Sequence, residues 1–264
     1  MSTVKIATFN VNSIRSRVDL IRTWLAEKNP VDILCMQELK CEAEQFPTEA
    51  FEELGYRVAI NGQKRYNGVA VCSKLPIAEV KTEFGVDVLD REKRLIQTVI
   101  EGVAILNVYA PHGESDETHP KHLYKMAFYD ALREYVDALR EKHARVVVLG
   151  DMNVALEDQD VYDPSLFAGR VGFLESEKRK LRSLIDTRLR DCYRMKYPDT
   201  KSFTWWDYRT AGIWRDEGMR IDYILATDAV VQMCEDIGVD LWTRRRRTPT
   251  PSDHAPLVGT LRLA

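Results

Sequence analysis

Short apolar runs bounded by turn residues recur along this chain, and their order constrains the fold more than any other feature. They lie at residues 4–10, 31–37, 68–73, 97–100, 103–109, 145–149, 221–226 and 257–261. Runs of this length and setting read as strands. Stretches at 17–28, 121–141 and 176–188 read as helices, and Phe128, Leu132, Tyr135 and Leu139 mark an apolar stripe on the second. Strands arrive in runs and helices come between the runs, without a steady alternation. That order predicts an α+β sandwich of packed sheets with helices outside, and argues against a doubly wound parallel sheet. No repeat, low-complexity tract or Gly/Ser linker divides the 264 residues, so a single domain over 1–264 is expected.

Several function classes drop out at this level. No stretch approaches the roughly 20 apolar residues of a membrane span. The opening residues lack the apolar core of a signal peptide, so a cytoplasmic protein without membrane contact is expected. The five cysteines are scattered and include no Cys-x-x-Cys, which argues against a disulfide framework or a zinc cluster. Cys35 and Cys72, in apolar runs, are expected to be buried and reduced. The formal net charge is −3. A nucleic-acid footprint on such a chain must come from segregated charge rather than from a basic surplus.

The strand ends carry the chemistry. The run at 31–37 passes into Glu38, and the run at 145–149 passes through Gly150 into Asp151 and Asn153. Asn10 and Asn12 close and follow the first run, and Tyr109 ends another. Asp222 stands at the start of 221–226, and Asp253-His254 just before the last run. Strands lying side by side would bring these residues to one rim of the sandwich. Carboxylates and amides are hard donors suited to Mg²⁺, with Mn²⁺ as a substitute. Each residue alone has a plainer reading: a helix-start carboxylate for Glu38, turn chemistry for Asp151, a cap for Asp253, a satisfied histidine for His254, an ion pair with Arg220 for Asp222. Together, so many polar strand ends favour a metal and phosphate site.

Eight segments then match one family in order and over nearly the whole chain. They are Thr8-Phe9-Asn10-Val11-Asn12-Ser13-Ile14-Arg15, Leu34-Cys35-Met36-Gln37-Glu38-Leu39-Lys40, Tyr66-Asn67-Gly68-Val69-Ala70, Asn107-Val108-Tyr109-Ala110-Pro111, Gly150-Asp151-Met152-Asn153-Val154-Ala155, Phe203-Thr204-Trp205-Trp206-Asp207-Tyr208-Arg209, Arg220-Ile221-Asp222-Tyr223 and Pro251-Ser252-Asp253-His254-Ala255-Pro256. This set resembles the exonuclease III family of abasic-site endonucleases, within the endonuclease/exonuclease/phosphatase superfamily. The run from Tyr109 through Pro111-His112-Gly113-Glu114-Ser115 and the Trp-Trp-Asp-Tyr-Arg segment are most similar to its bacterial branch.

The resemblance implies a four-layered α/β/β/α sandwich of the DNase I-like kind, with two packed, mostly antiparallel sheets flanked by helices. It implies a Mg²⁺-dependent DNA-repair hydrolase that cuts the phosphodiester 5′ to abasic sites. A 3′–5′ exonuclease and 3′-end-trimming activity would accompany this. The partner would be double-stranded DNA with abasic sites or blocked 3′ ends, bound by a monomer. Glu38 would hold the metal with Asn12 and Asp253 nearby, and Asp151, Asn153 and His254 would complete its surroundings. Asp151 would position and deprotonate the attacking water, with Asn153 orienting it. His254, held by Asp222, would donate to a phosphate oxygen. Tyr109 would be a phosphate-side donor, and Asn10 would organise the carboxylates.

For DNA contact, the run Arg244, Arg245, Arg246 and Arg247 lies close in sequence to Asp253-His254. Arg94, His112, Lys121 and Arg209 are further candidates. His112 departs from the Asn or Gln common in relatives. Trp205, Trp206, Trp214, Met219 and Ile221 read as an apolar group flanking Asp222, either core or a pocket for an extruded sugar. Trp205, Met219 and Ile221 match the family's pocket positions, with Met219 where some relatives carry Trp. An abasic nucleotide costs least to flip, so selectivity would come from shape and deformability. The loop at 161–173 is expected to influence the balance of endonuclease and exonuclease action. Two alternatives remain: a phosphodiesterase of the same fold acting on RNA or small phosphoesters, and an inactive DNA-binding module. The Trp-Trp-Asp-Tyr-Arg segment and the Arg run favour DNA. The joint presence of Glu38, Asp151, Asn153, Asp222, Asp253 and His254 argues against an inactive chain.

Overall fold

The computed structural model describes residues 2–185 and 188–263. Its strands are β1 (Ser2–Asn10), β2 (Ile33–Gln37), β3 (Arg57–Asn61), β4 (Val69–Ser73), β5 (Ala78–Lys81), β6 (Leu95–Ile100), β7 (Val103–Tyr109), β8 (Val146–Asp151), β9 (Arg190–Asp191), β10 (Asp222–Ala226), β11 (Cys234–Val239) and β12 (Leu257–Leu263). They form two six-stranded sheets, ordered β11-β12-β1-β2-β4-β3 and β5-β6-β7-β8-β10-β9. Each sheet has a parallel pair near its middle, β1 with β2 and β7 with β8. Every other pairing is antiparallel. The expected four-layered sandwich of mostly antiparallel sheets is therefore found.

Side-chain parity explains the layers. On the inner faces Val4, Ile6, Ile33, Cys35, Ile105, Val147, Leu149 and Ile224 pack sheet against sheet. Their strand neighbours Ala7, Phe9, Leu34 and Met36 face outward against the helical segment at 18–28 and helix Thr48–Glu52. Ala104, Leu106, Val146 and Val148 face outward against helices Pro120–Lys142 and Glu175–Ile185. Both faces are covered, so the central strands read as continuous apolar runs instead of alternating.

The same parity turns polar at one end. Along β1, Ile6 is followed on the inner face by Thr8 and Asn10; along β2, Cys35 by Gln37; along β7, Ile105 by Asn107 and Tyr109; along β8, Leu149 by Asp151. Several of these polar groups bond across the sheets. Asn107 Nδ2 donates to the carbonyls of Met36 and Ala70, each at 2.9 Å, and Gln37 Nε2 donates to Asn107 Oδ1 at 2.6 Å.

The sequence-based reading missed β3, β5, β9 and β11. β3, β5 and β9 lie at sheet edges, where residues such as all four of β5 are exposed, and β11 is an edge carrying Glu235 and Asp236. Edge strands blunted by charge have no apolar run to detect. The helix expected at 17–28 is α-helical over Val18–Thr23 and continues as a π-turn over Trp24–Lys28. The one expected at 176–188 is Glu175–Ile185; residues 186 and 187 lie outside the described residues. Among the described residues no helix is long and apolar enough to cross a membrane. Cys35 and Cys72 are free and buried, and burial raises both thiols well above the usual range.

Gly150 lets β8 deliver Asp151. Its φ is +143°, and a Cβ there would lie 1.9 Å from the Val108 carbonyl oxygen on β7. Gly150→Ala is expected to lower unfolding free energy by about 2 kcal/mol or more, because overpacking and an incompatible backbone act together. Urea denaturation checks this; a wild-type midpoint would contradict it.

Candidate active site

Asn10 lies at the centre of the polar rim. Its Nδ2 donates to Glu38 Oε1 at 2.8 Å and to Asp151 Oδ2 at 2.9 Å, joining the ends of β2 and β8. Its Oδ1 accepts from the Asn12 amide at 3.0 Å, and its carbonyl accepts from Ser252 Oγ at 2.7 Å. One buried residue thus joins both sheets through its side chain and, through its carbonyl, the segment that carries Asp253 and His254.

Backbone turns aim the neighbours inward. Asn12, Glu38 and Asn153 all have left-handed φ, at 46°, 52° and 52°. Asn tolerates this region, whereas for Glu it is strained and persists only where the surroundings hold it. Glu38 is held by Asn10, by Lys40 at 2.8 Å, and by backbone bonds from its neighbour Leu39 to Gly68 and from Ser13 to its own carbonyl. Asn153 Nδ2 donates to the Ala110 carbonyl at 2.9 Å, and its backbone amide to Asp151 Oδ1 at 2.9 Å.

His254 Nδ1 meets Asp222 Oδ2 at 2.8 Å, and its Nε2 lies 3.7 Å from Asp151 Oδ2. The ion pair between Asp222 and Arg220 considered from sequence is not formed. Arg220 is fully buried with Asp160, at 2.7 Å, and Asp191, at 2.8 Å. Asp222 is left to His254, while its Oδ1 has no hydrogen-bond partner among the described residues. Thr204 Oγ1 accepts from the backbone amides of Ile221 and Asp222, both at 3.1 Å, and fixes where β10 begins.

These contacts set the protonation states. Burial pushes the Asp151 carboxyl up, to about 7, with His254 opposing and the charges of Asp222 and Glu38 adding to the rise. Burial would lower His254, but Asp222 and then Asp151 outweigh it and raise the imidazolium to about 10. For Glu38, burial acts upward, but Lys40, Asn10 and His254 prevail and hold the carboxyl below its usual value. Asp253 is likewise lowered against burial, by His254 and by bonds from Trp205 and Asn12. Burial, with Glu38 and Asp151 nearby, keeps the Tyr109 hydroxyl protonated well above its normal range.

The donor set fits a divalent cation. Glu38, Asp151 and His254 each offer an atom within 4.8 Å of the others. The Lys40 ammonium already lies between Glu38 Oε2 and Asn12 Oδ1, so this oxygen pair accommodates positive charge. Asn12 Nδ2 donates to Asp253 Oδ1 at 2.9 Å and brings that carboxylate alongside. His254, held protonated, is better suited to donate a hydrogen bond than to ligate.

Around this centre the predicted DNA contacts divide. Arg245, Arg246 and Arg247 are exposed, as are His112 and Lys121. Arg209 is 89% exposed and paired with Asp207. Arg244 is 4% exposed and turned inward, donating to the carbonyls of Asp253 and Trp206 at 3.2 Å each. Arg94 stacks on Tyr109 at 4.7 Å and pairs with Glu92. Trp205, Met219 and Ile221 come together with Ala155, Val161, Phe167 and Phe173. Trp205 Nε1 also donates to Asp253 Oδ2 at 3.0 Å, linking this group to the carboxylates. Trp206 belongs to a separate core with Phe203, Ile213 and Ala255. Trp214 joins neither group: it is 58% exposed, which corrects its expected place among the apolar residues.

Sequence reasoning missed Lys125. Its Nζ is fully buried and donates to the carbonyls of Asn153 and His112 and to Glu177 Oε1. Glu177 in turn accepts from the amides of Gly172 and Leu174, tying down the end of the loop at 161–173. The available signal was a lysine on the buried stripe of its helix, one turn before Phe128 and Tyr129.

A model of the Endonuclease/Exonuclease/phosphatase family matches residues 7–254. The exodeoxyribonuclease III of Haemophilus influenzae is 34% identical, over 96% of this chain and 98% of that protein. The 3′ phosphatase NExo from Neisseria, solved bound to a product DNA hairpin, superposes with a TM-score of 0.94 at 36% identity, covering 98% of this chain and 100% of that one. An AP endonuclease from Archaeoglobus fulgidus superposes with a TM-score of 0.92 at 37% identity, again over 98% and 100%.

The raised imidazolium has a thermodynamic consequence. A histidine whose folded pKa exceeds its unfolded value stabilises fully below the ordinary value near 6.5. That contribution disappears as pH rises toward about 10. With divalent cations chelated, the urea midpoint should therefore fall as pH climbs between these values, and Asp222→Asn should flatten the fall. An identical slope in the variant would contradict the assigned cause.

Proposed function

The chain belongs to the endonuclease/exonuclease/phosphatase family, and from that premise we propose a DNA-repair nuclease that hydrolyses the phosphodiester 5′ to abasic sites and trims blocked 3′ ends. The observation that carries this reading is the meeting of Glu38, Asp151 and His254 within 4.8 Å beside the apolar group of Trp205, Met219 and Ile221. The exodeoxyribonuclease III, AP endonuclease and DNA-bound 3′ phosphatase among its relatives support the substrate class.

Glu38, Asn12 and Asp253 would hold Mg²⁺, or Mn²⁺ in its place. The bound cation supplies charge neutralisation at the phosphate and the leaving oxygen. Asp151 accepts the proton of the attacking water; its raised pKa suits a base working near neutral pH. Asn153, pinned by Ala110 and Lys125, orients that water. His254 donates from Nε2 to a nonbridging phosphate oxygen, with Asp222 keeping the ring protonated and aimed. Tyr109 donates its hydroxyl hydrogen beside Glu38, and Arg94 stacks on its ring. Preorganised donors of this kind suit phosphoryl transfer, where positioning and charge stabilisation dominate.

Arg245, Arg246, Arg247, Arg209, Lys121 and His112 supply exposed donors for the DNA backbone. Arg244 acts indirectly, by holding the Asp253 carbonyl. An extruded sugar lacking a base would rest against Trp205, where a full nucleotide is larger and costs more to flip. A cytoplasmic monomer suits this reading.

The test is an end-labelled duplex with a single abasic analogue, incubated with and without chelator. The expected product is one nick 5′ to the lesion with a 3′-hydroxyl, lost on chelation. Turnover of RNA or small phosphoesters alone would refute the reading. Asp151→Asn and His254→Ala are each expected to lower kcat roughly 10²–10⁴-fold. Binding of the damaged duplex should stay within about tenfold, since these groups act mainly in the transition state. Wild-type rates in either variant would refute the assigned roles.

A further inference from the structure

Trp214 is displayed outward by a loop that is itself firmly held. Its neighbour Ile213 is buried with Phe203, Trp206 and Ala255, the residue next to His254. Gly212 is packed so closely that a Cβ would lie 2.8 Å from the Glu217 carbonyl oxygen. Backbone bonds from Gly212 to Asp207, from Trp214 to Ala211 and from Glu217 to Gly212 close the loop on itself. Ile213 therefore anchors the loop, and the 58% exposed indole contributes little to the core.

A second segment reaches the same ring. The Arg247 guanidinium, from the basic run, lies 6.0 Å from the Trp214 ring centroid. Arg247 makes no ion pair among the described residues. The loop is braced against the segment that carries Asp253 and His254, because Trp206, which packs with Ile213, bonds through its amide to the Asp253 carbonyl. A flat aromatic face with a planar cation beside it, on a loop braced against the Asp253-His254 segment, matches the π-face and charge of a nucleobase on its phosphate backbone.

We propose that Trp214 and Arg247 form a stacking platform for an unpaired nucleobase of the DNA substrate, and so favour substrates that present one. The proposal rests on the nuclease reading. An unpaired base can come from two sources: the base facing the abasic site, or a frayed nucleotide at a 3′ end. The shared chemistry is a base free of its partner, and the substrates below separate the sources.

The experiment compares steady-state kinetics of wild type, Trp214→Ala, Trp214→Phe and Arg247→Ala, each as the full chain with Mg²⁺. The substrates are an abasic analogue facing adenine, the same analogue facing a second abasic analogue, and 3′ ends that are either paired or mismatched. For Trp214→Ala, KM should rise roughly tenfold wherever the contributing base is present, in line with base–aromatic stacking. The kcat should move less than twofold, and the penalty should vanish when that base is removed. Trp214→Phe should recover most of the affinity, and Arg247→Ala should lose part of it. A penalty confined to the adenine-facing duplex assigns the opposite base, and one confined to mismatched ends assigns the cleaved strand. Equal KM in wild type and Trp214→Ala, or an equal penalty on all four substrates, overturns the proposal. Wild type that cuts none of the DNA substrates brings down the nuclease reading itself. A urea midpoint for Trp214→Ala matching wild type verifies that the fold is intact.

Discussion

The Asn10 amide donates to two carboxylates that belong to different sheets, and the rest of the site is arranged around that pair of bonds. Glu38 and Asp151 repel one another, and Asp222 adds to the repulsion. In a buried setting such a group is tolerated only with donors and opposite charge close by. Asn10, Lys40 and His254 supply these. The arrangement follows from strand parity: the inner faces are apolar through most of their length and become polar where the strands leave the sandwich. A one-residue slip in β1 or β8 would point Asn10 or Asp151 into the outer layers and separate the pair.

Charge is sorted by depth as well as by sign. Arg220 is fully buried between Asp160 and Asp191, and Lys125 against Glu177. Both groups flank the carboxylates of the candidate site. Arg220 stands beside Ile221 and Asp222 in the chain, and Lys125 grips the carbonyl of Asn153. Their role is positional, since they fix backbone from which Asp222 and Asn153 project. The exposed arginines at 245–247 follow Arg244, which is withdrawn to hold the Asp253 carbonyl. A net charge of −3 is thus compatible with phosphate binding, because exposed positive charge is concentrated in the run that follows the residue holding the Asp253 carbonyl.

Much of this was legible in the residues. Central strands buried on both faces announce themselves as apolar runs, and their polar ends marked Asn10, Glu38, Tyr109, Asp151 and Asp222. Edge strands such as β5 were not legible, because solvent removes the pattern that identifies a strand. The run at 244–247 looked uniform, yet Arg244 alone turns inward; only the tertiary position of Trp206 and Asp253 decides that. Trp214 looked like its neighbours Trp205 and Trp206, but Ile213 takes the buried place in its loop. Lys125 and Thr204 act through bonds to distant backbone, and no local spacing encodes those. Asp222 was open to two partners in sequence, and the claim of Asp160 and Asp191 on Arg220 resolves the choice in favour of His254.

Equilibrium binding of Mn²⁺, followed by the loss of its free-ion paramagnetic resonance signal, probes the shared carboxylate centre without requiring turnover. The wild-type chain should bind the ion, and Glu38→Gln should weaken binding at least roughly tenfold while circular dichroism stays unchanged. Equal Mn²⁺ affinity in the two proteins would mean that Glu38 does not hold the cation and that the centre built around Asn10 has another purpose.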